Sequence, residues 1–238
     1  MNTNAVVRLA APLLIAAALV LSRRPEASAP PPVELQPGQA QAPPAAVVLG
    51  AFDAALAPGA PGYDRGTSRA SVTVLEFADF GCRYCARFAL ETYPALAEEF
   101  VRTGRVRWKY VPFVLGMFPN GDGAARAAEC SADQGRAAFG RMHDVLYQRQ
   151  GEWTSSGDAP GVFRAYAASA GLDAARFASC YEGTGPDARI RASNELADRM
   201  GVRATPTFFV NGNLVEGALP LEQFRAVIEG ALRAGPSQ

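Results

Sequence analysis

Two cysteines separated by two residues are the part of this sequence most suited to chemistry. They lie in the tetrapeptide Cys82-Arg83-Tyr84-Cys85. A thiol at the amino end of a helix meets unpaired backbone N–H groups and the helix dipole, both of which favour the thiolate that attacks disulfides. Arg83 adds a positive charge beside it. We predict that Cys82 faces solvent as the attacking sulfur with a pKa below neutrality, and that Cys85, one turn further on, stays a buried thiol.

The same spacing of cysteines also occurs in zinc, iron–sulfur and haem sites. Zinc would need a second pair of ligands, and Cys130, Cys180 and His143 stand alone in the sequence. Residue 86 is alanine, which excludes the haem-attachment motif. The sequence therefore favours redox chemistry over a metal site or a purely structural Cys82–Cys85 disulfide, and we predict neither a metal nor another cofactor.

Glu76 is a second candidate for chemistry, because it stands in an apolar stretch, Val72-Thr73-Val74-Leu75-Glu76-Phe77. Acids are rarely buried unless they are paired or functional. We expect burial to raise the pKa of Glu76. The alternative is that Glu76 points to solvent from a partly exposed strand.

The elements that position these residues form a β-α-β unit. The apolar stretch at 72–77 predicts a buried strand, and residues 106–110 alternate as expected of a strand with one wet face. Between them, apolar residues recur every three or four positions from Cys85 to Phe100, which predicts a helix. We expect Pro94 to kink this helix without ending it.

The rest of the chain predicts helices and then a hairpin. Helices are expected at about 122–149, 159–170, 173–182 and 186–200. Asn211-Gly212 between two apolar runs indicates a β-hairpin, and Pro220 opens a last amphipathic helix. The fold class is therefore α/β, with β-α-β, a helical block and then β-β-α.

The amino-terminal region predicts export. An apolar run at 9–21 follows Arg8 and is short for a membrane span, as in a signal peptide. We assign 1–29 as signal peptide or membrane anchor, with 5–22 as the tether in the latter case. Residues 30–62 are expected to be a Pro/Ala-rich linker and 63–238 the folded domain, with its helical insertion at about 115–201. The expected location is periplasmic or extracytoplasmic.

The overall composition excludes two classes of protein. The chain is 49% hydrophobic, which is enough to build a core, so a wholly disordered protein is excluded. Its 23 basic and 23 acidic residues cancel, which argues against nucleic acid as a partner.

The motifs taken together resemble the DsbA-like thiol:disulfide oxidoreductases of the thioredoxin superfamily. The resemblance rests on the stretch from Glu76 to Cys85, on the helical block, and on the stretch from Gly201 to Gly212 that contains Thr205-Pro206-Thr207. It implies a thioredoxin fold with a helical insertion and a cis peptide bond at Thr205–Pro206, whose backbone edge pairs with the substrate. It also implies that Glu76 handles the proton of Cys85. The dipeptide Arg83-Tyr84 departs from the Pro-His of the best-known oxidase, so a redox potential is not carried over.

Further residues receive expected roles beside the cysteines. We predict that Phe80, Arg83, Tyr84, Thr205 and Pro206 contact substrate. Cys130 and Cys180 are expected to form a structural disulfide, because spare cysteines in an exported protein tend to pair. A second redox pair or an intermolecular bridge is the alternative. His143 is expected to be a packed or capping residue.

The function predicted from the sequence is that of an exported thiol:disulfide oxidoreductase acting as an oxidase. Its partners would be protein substrates with cysteine thiols and a membrane redox partner that resets Cys82 and Cys85. One alternative is a reductase or isomerase of the same fold. The other, from a different class, is a metal-binding or holdase module in which the cysteine pair is incidental.

Overall fold

The computed structural model describes residues 45–235. The predicted signal peptide or anchor at 1–29, the tether at 5–22 and the first part of the predicted linker lie outside these residues. Within them, no helix is both long enough and apolar enough to span a membrane.

The core of the fold is a five-stranded mixed sheet with the order β1-β3-β2-β4-β5. The strands are β1 (Tyr63–Arg65), β2 (Val72–Ala78), β3 (Val106–Pro112), β4 (Thr207–Val210) and β5 (Asn213–Glu216). β2 lies at the centre, parallel to β3 and antiparallel to β4. Its apolar sequence fits this position, because a central strand is covered on both faces. The short edge strand β1, antiparallel to β3, was not anticipated from the sequence.

The predicted helix after β2 runs through Pro94. It consists of α2 (Arg83–Arg87), a π-helical segment (Phe88–Thr92), α3 (Tyr93–Leu96) and a second π-helical segment (Ala97–Val101). Proline has no N–H to donate to the preceding turn, and that turn is the wider π-helical one. The expectation of a helix that continues past Pro94 is confirmed.

The predicted start of the folded domain at residue 63 is corrected by helix α1 (Ala45–Leu56). Ala51, Phe52 and Ala55 on this helix are buried against the sheet, in a cluster that includes Leu75 and Phe77 of β2. The Ala-rich text around α1 led to its assignment as linker, but its apolar side chains cover one face of the sheet. The linker prediction is therefore wrong for 45–56.

The helical block lies between β3 and β4 and contains more helices than predicted. They are α4 (Gly121–Ala132), α5 (Arg136–Gln148), α6 (Gln150–Thr154), α7 (Ala159–Ser169), α8 (Ala174–Glu182) and α9 (Gly185–Arg199). The single helix expected at about 122–149 is divided at Gly135, whose φ of +113° is not helical. Glycine reaches such a φ without a steric penalty.

The final β-β-α unit agrees with the sequence. β4 and β5 are joined by Asn211-Gly212, both with positive φ, as a tight hairpin turn requires. Helix α10 (Leu221–Ala234) then buries Phe224 and Ile228 on the sheet face opposite to α1, beside Phe88 and Trp108. The predicted α/β fold with an inserted helical block is confirmed.

Candidate active site

A tight turn after β2 places Cys82 directly before α2. The Asp79 carboxylate accepts hydrogen bonds from the N–H groups of Gly81 and Leu115, both at 2.8 Å. The Cys82 N–H donates to the Asp79 carbonyl at 3.0 Å. Burial raises the pKa of Asp79, whereas the two N–H donors oppose the increase. Sequence reasoning treated Asp79 only as a break, although an Asp two residues before a Gly is a recognised turn signal.

Gly81 is required by the close approach of a second loop. A Cβ at this position would lie 2.3 Å from Cβ of Phe118. Phe118 belongs to the loop between β3 and α4, whose Leu115 N–H binds Asp79. The Cys82 turn and this loop are therefore packed together without room for any side chain at residue 81.

The two cysteines are reduced and differ in environment. Cys82 is the residue before α2, with an extended backbone, and Cys85 lies inside the helix. Cys82 is only 4% exposed and Cys85 is fully buried. The expectation of a solvent-facing Cys82 is therefore corrected: the residue is buried, and its sulfur lies 3.4 Å from the Thr205 carbonyl oxygen.

The pKa values of the two thiols move in opposite directions, as predicted. The pKa of Cys82 is lowered to about 5, chiefly by a hydrogen bond from Cys85. Burial opposes this decrease, whereas the Thr205 hydroxyl and the backbone N–H groups of Cys85 and Tyr84 add to it. Burial and the neighbouring Cys82 raise the pKa of Cys85 well above its ordinary value. Arg83 is not among the groups that lower the pKa of Cys82, so its predicted electrostatic role is not observed.

The loop before β4 closes the other side of the site. The Thr205–Pro206 peptide bond is cis, as the resemblance implied. The Thr205 hydroxyl is buried and has no hydrogen-bond partner among the described residues. As a donor, this hydroxyl lowers the pKa of both Cys82 and Cys85. We interpret it as a donor held ready for a thiolate.

Glu76 is buried on the central strand, which excludes the alternative that it points to solvent. It is 4% exposed and accepts a hydrogen bond from Trp108 Nε1 at 2.7 Å. Burial raises its pKa to about 7, while the Trp108 bond and the charge of Arg65 act in the opposite direction. In the register of the sheet, Glu76 faces Tyr110 on β3, and Tyr110 packs in the same core cluster as Cys85. Sequence reasoning missed Trp108, although its place on the neighbouring strand was a usable signal.

Phe80 does not lie in a substrate groove. It is 1% exposed and packs against the rings of Tyr110, His143 and Tyr147. Its assignment as a substrate-binding residue is therefore wrong, because the turn at Asp79 directs the ring into the helical block. His143 is buried in the same aromatic cluster, where burial lowers its pKa to about 4 and keeps it neutral.

The other predicted contact residues differ in exposure. Arg83 and Tyr84 are exposed, Tyr84 by 45%, whereas Pro206 is buried under the cis bond. Arg83 Nη2 donates to Tyr84 Oη at 2.9 Å.

Cys130 and Cys180 lie in the helical block. They form a disulfide between α4 and α8, with Cα atoms 5.6 Å apart and a sequence separation of 50. Residues 45–235 contain no cluster of three His, Cys, Asp or Glu side chains that could hold a metal ion.

Comparison with known proteins identifies the family to which this arrangement is related. The model of the family described as thioredoxin matches residues 61–230, which is more than half of the chain. The DsbA-like resemblance is confirmed by a curated relative named as a disulfide bond formation protein, and the fold by a solved DsbA structure.

Two curated relatives illustrate the range of matches. One is the Na(+)/H(+) antiporter NhaA 3 of Salinispora tropica, 37% identical over 70% of this chain but only 24% of its own length. The chain therefore spans about a quarter of that relative. The other is disulfide bond formation protein D of Bacillus subtilis, 26% identical over 71% of this chain and 76% of its own length.

A solved structure agrees in fold. Wolbachia pipientis alpha-DsbA1 superimposes with a TM-score of 0.67 at 20% identity, covering 75% of this chain and 93% of its own.

Proposed function

The chain belongs to the thioredoxin family and is DsbA-like within it, and from this premise we propose that it is a thiol:disulfide oxidoreductase that oxidises protein thiols. The observation that carries the proposal is the difference in pKa between the two thiols: the pKa of Cys82 is lowered to about 5 and that of Cys85 is raised. A stabilised Cys82 thiolate favours the reduced protein, which makes the Cys82–Cys85 disulfide a stronger oxidant.

The proposed reaction begins with the oxidised protein. A substrate thiolate attacks Sγ of Cys82, a mixed disulfide forms, and Cys85 leaves as a thiolate. The high pKa of Cys85 means that this thiolate takes up a proton. Glu76, whose pKa of about 7 allows it to hold or release a proton near neutrality, is the proposed proton donor.

The second step releases the product. Another substrate thiolate attacks the substrate sulfur of the mixed disulfide, and Cys82 leaves as a thiolate. A thiol of low pKa is the better leaving group in disulfide exchange. Two electrons have then passed from two substrate thiols to the Cys82–Cys85 pair, and the substrate contains a new disulfide.

Thr205 and Pro206 are proposed to hold the substrate during both steps. The Thr205 carbonyl and the Cys82 sulfur are 3.4 Å apart, so a chain bonded to Cys82 would lie against this backbone edge. The buried Thr205 hydroxyl is positioned to stabilise whichever cysteine is released as a thiolate.

Export and a membrane redox partner belong to the same proposal. An oxidase that has accepted two electrons must lose them before another turnover, and a membrane partner is proposed to do this. The apolar run at 9–21 and the Cys130–Cys180 disulfide support a location in an oxidising compartment, periplasmic or extracytoplasmic. The amino-terminal sequence of the protein purified from its own cells would show whether this segment is cleaved or anchors the chain.

The decisive experiment is the reduction potential of Cys82–Cys85 in glutathione buffers, measured beside the oxidation of a reduced, unfolded protein. We expect a potential more positive than about −180 mV, on the oxidising side of the thiol–disulfide catalysts. A potential below about −250 mV, with rapid reduction of insulin, would instead identify a reductase. Cys82→Ser should abolish both activities, whereas a holdase or metal-binding module would be unaffected by this change.

A further inference from the structure

The Cys82–Cys85 pair is bordered by two arginines that stack on one tyrosine. The guanidinium carbon of Arg83 lies 4.8 Å from the ring centroid of Tyr84, and that of Arg87 lies 5.3 Å from it. Arg83 also donates to the Tyr84 hydroxyl. We call these three residues the arginine–tyrosine stack. All three are exposed, and a helix brings them together because positions 83 and 87 are one turn apart.

Neither arginine has a counter-ion among residues 45–235. No carboxylate of this part of the chain lies within 4.0 Å of either guanidinium. This includes Glu91, which stands four residues after Arg87. By contrast, Arg102, directly after the same helical run, pairs with Glu98, and Arg203 in the loop before Pro206 pairs with Asp198. The stack thus presents two uncompensated positive charges to solvent.

These charges do not serve the sulfur itself. Hydrogen bonds from Cys85, Thr205 and the backbone account for the lowered pKa of Cys82, and Arg83 has no part in it. In the oxidised protein Cys82 carries no charge, and the two exposed guanidinium groups remain as positive charges beside the disulfide in the chain.

The chemistry of the stack defines its partner. Guanidinium groups bind carboxylates through paired hydrogen bonds, and stacking on an aromatic ring holds them in a fixed orientation. The exposed ring of Tyr84 and the 70% exposed side chain of Met117 offer apolar surface on the described part of the molecule. Two fixed cations beside a reactive disulfide would raise the local concentration of an acidic polypeptide.

We propose that the arginine–tyrosine stack is a docking surface for cysteine-containing polypeptide segments whose cysteine is flanked by Asp or Glu. The inference rests on the proposed function and names its substrate class. Acidic neighbours also raise the pKa of the substrate cysteine and reduce its thiolate fraction, so the preference must be measured relative to the intrinsic reactivity of each peptide.

The test compares dithiol peptides of equal length, with acidic, neutral or basic residues beside the cysteines. Each is mixed with oxidised protein at low salt, quenched with acid and quantified. Each rate is divided by the rate of the same peptide with an uncharged small disulfide. We expect the normalised rate of the acidic peptide to exceed that of the basic one by about 3- to 10-fold. The ratio should fall towards one in high salt, which screens exposed charges.

The variant Arg83→Gln/Arg87→Gln should bring the acidic-to-basic ratio close to one. Its matched control is Arg191→Gln/Arg199→Gln, which removes the same net charge from two exposed arginines of α9 that also have no carboxylate within 4.0 Å in the described part of the chain, and it should leave the ratio unchanged. Equal normalised rates in the wild-type protein, or a ratio that falls equally in both variants, would overturn the inference.

The outcomes distinguish a failure of the proposed docking surface from a failure of the proposed oxidase function. If the wild-type protein oxidises the neutral peptide but shows no preference for the acidic one, only the docking surface is refuted. If it oxidises none of the peptides, the proposed oxidase function fails.

Discussion

Groups of three kinds lower the pKa of the Cys82 thiol. They are the Cys85 thiol, the Thr205 hydroxyl and the backbone N–H groups at the start of α2. Hydrogen bonds inside a largely buried site are stronger than in water. The reactivity of Cys82 therefore depends on the geometry of its contacts, and an exposed charge such as Arg83 contributes little to it.

We predict that Cys85→Ala raises the pKa of Cys82 from about 5 towards, but not to, the ordinary value of 9.0. The Cys85 thiol is the largest cause of the lowered pKa, and the other donors remain in the variant. Thiolate absorbance titrated against pH measures the change. Thr205→Val should also raise this pKa, whereas Thr205→Ser, which keeps the hydroxyl, and Arg83→Gln should not. A midpoint that stays near 5 in Cys85→Ala would contradict the assignment.

We predict that Glu76→Gln stabilises the oxidised protein at alkaline pH. The folded pKa of about 7 lies above the ordinary 4.5, so the fold favours the protonated acid, and ionisation destabilises it increasingly as the pH rises from 4.5 to 7. At pH 8 the variant should gain up to roughly 3 kcal/mol in the free energy of unfolding, and at pH 4 close to nothing. Urea titrations measure both values.

The control for that experiment is Glu91→Gln, which changes an exposed acid on the helix after Cys85. It should leave the stability at both pH values nearly unchanged. The oxidised form is used because Cys82 and Cys85 then do not titrate. Equal stabilisation of the Glu76→Gln protein at pH 4 and pH 8 would show that desolvation of the carboxylate is not the cause.

At the scale of elements, the site depends on how two loops meet at the end of the sheet. The Asp79 carboxylate binds its own turn through Gly81 and the loop after β3 through Leu115. Phe118 of that loop lies over Gly81. The position of Cys82 is therefore fixed by a loop more than thirty residues later in the chain, in addition to its own helix.

We predict that Gly81→Ala lowers the free energy of unfolding by about 1–3 kcal/mol, because the new Cβ would overlap Cβ of Phe118 and force the loops apart. It should also raise the pKa of Cys82, as the backbone donors move. Denaturant unfolding and thiolate titration measure these effects.

The matched control is Gly140→Ala, on helix α5 with open space around the site. Alanine is the better helix former there, and it should stabilise the protein by up to about 1 kcal/mol. Gly81→Ala with wild-type stability and an unchanged Cys82 would refute the packing argument.

At the scale of the whole molecule, the sheet and the helical block depend on each other. Cys85, Ala78 and Tyr110 share one buried cluster with residues of α4, α5 and α7. Glu129 of α4 also binds Tyr63 of β1 and, at 2.6 Å, Arg189 of α9. The block thus completes the core behind the reactive cysteines, and the Cys130–Cys180 disulfide stabilises that block.

We predict that Cys130→Ala/Cys180→Ala lowers the free energy of unfolding by roughly 3–4 kcal/mol, since the disulfide closes a loop of 50 residues in the unfolded chain. The pKa of Cys82 and the rate of thiol exchange should stay close to those of the wild-type protein. Thermal or denaturant unfolding gives the first value, and thiolate titration the second. A large change in the Cys82 pKa would indicate that the second disulfide acts on the chemistry as well as on stability.

The amino-acid sequence by itself determined the α/β order of elements, the Cys82–Cys85 pair at the start of a helix and the burial of Glu76. These follow from local signals, such as the spacing of Cys82 and Cys85, the apolar strand around Glu76 and the Asn211-Gly212 turn. Such signals depend on residues close in the chain, which is why they can be read without a structure.

Only the tertiary structure decided where several side chains point and what they touch. It buried Phe80 in an aromatic cluster, placed α1 on the sheet and assigned the low pKa of Cys82 to Cys85 and Thr205 instead of Arg83. It also left Arg83 free to stack on Tyr84. Burial and hydrogen bonding depend on contacts between residues far apart in the chain, and a single sequence does not specify these before the chain is folded.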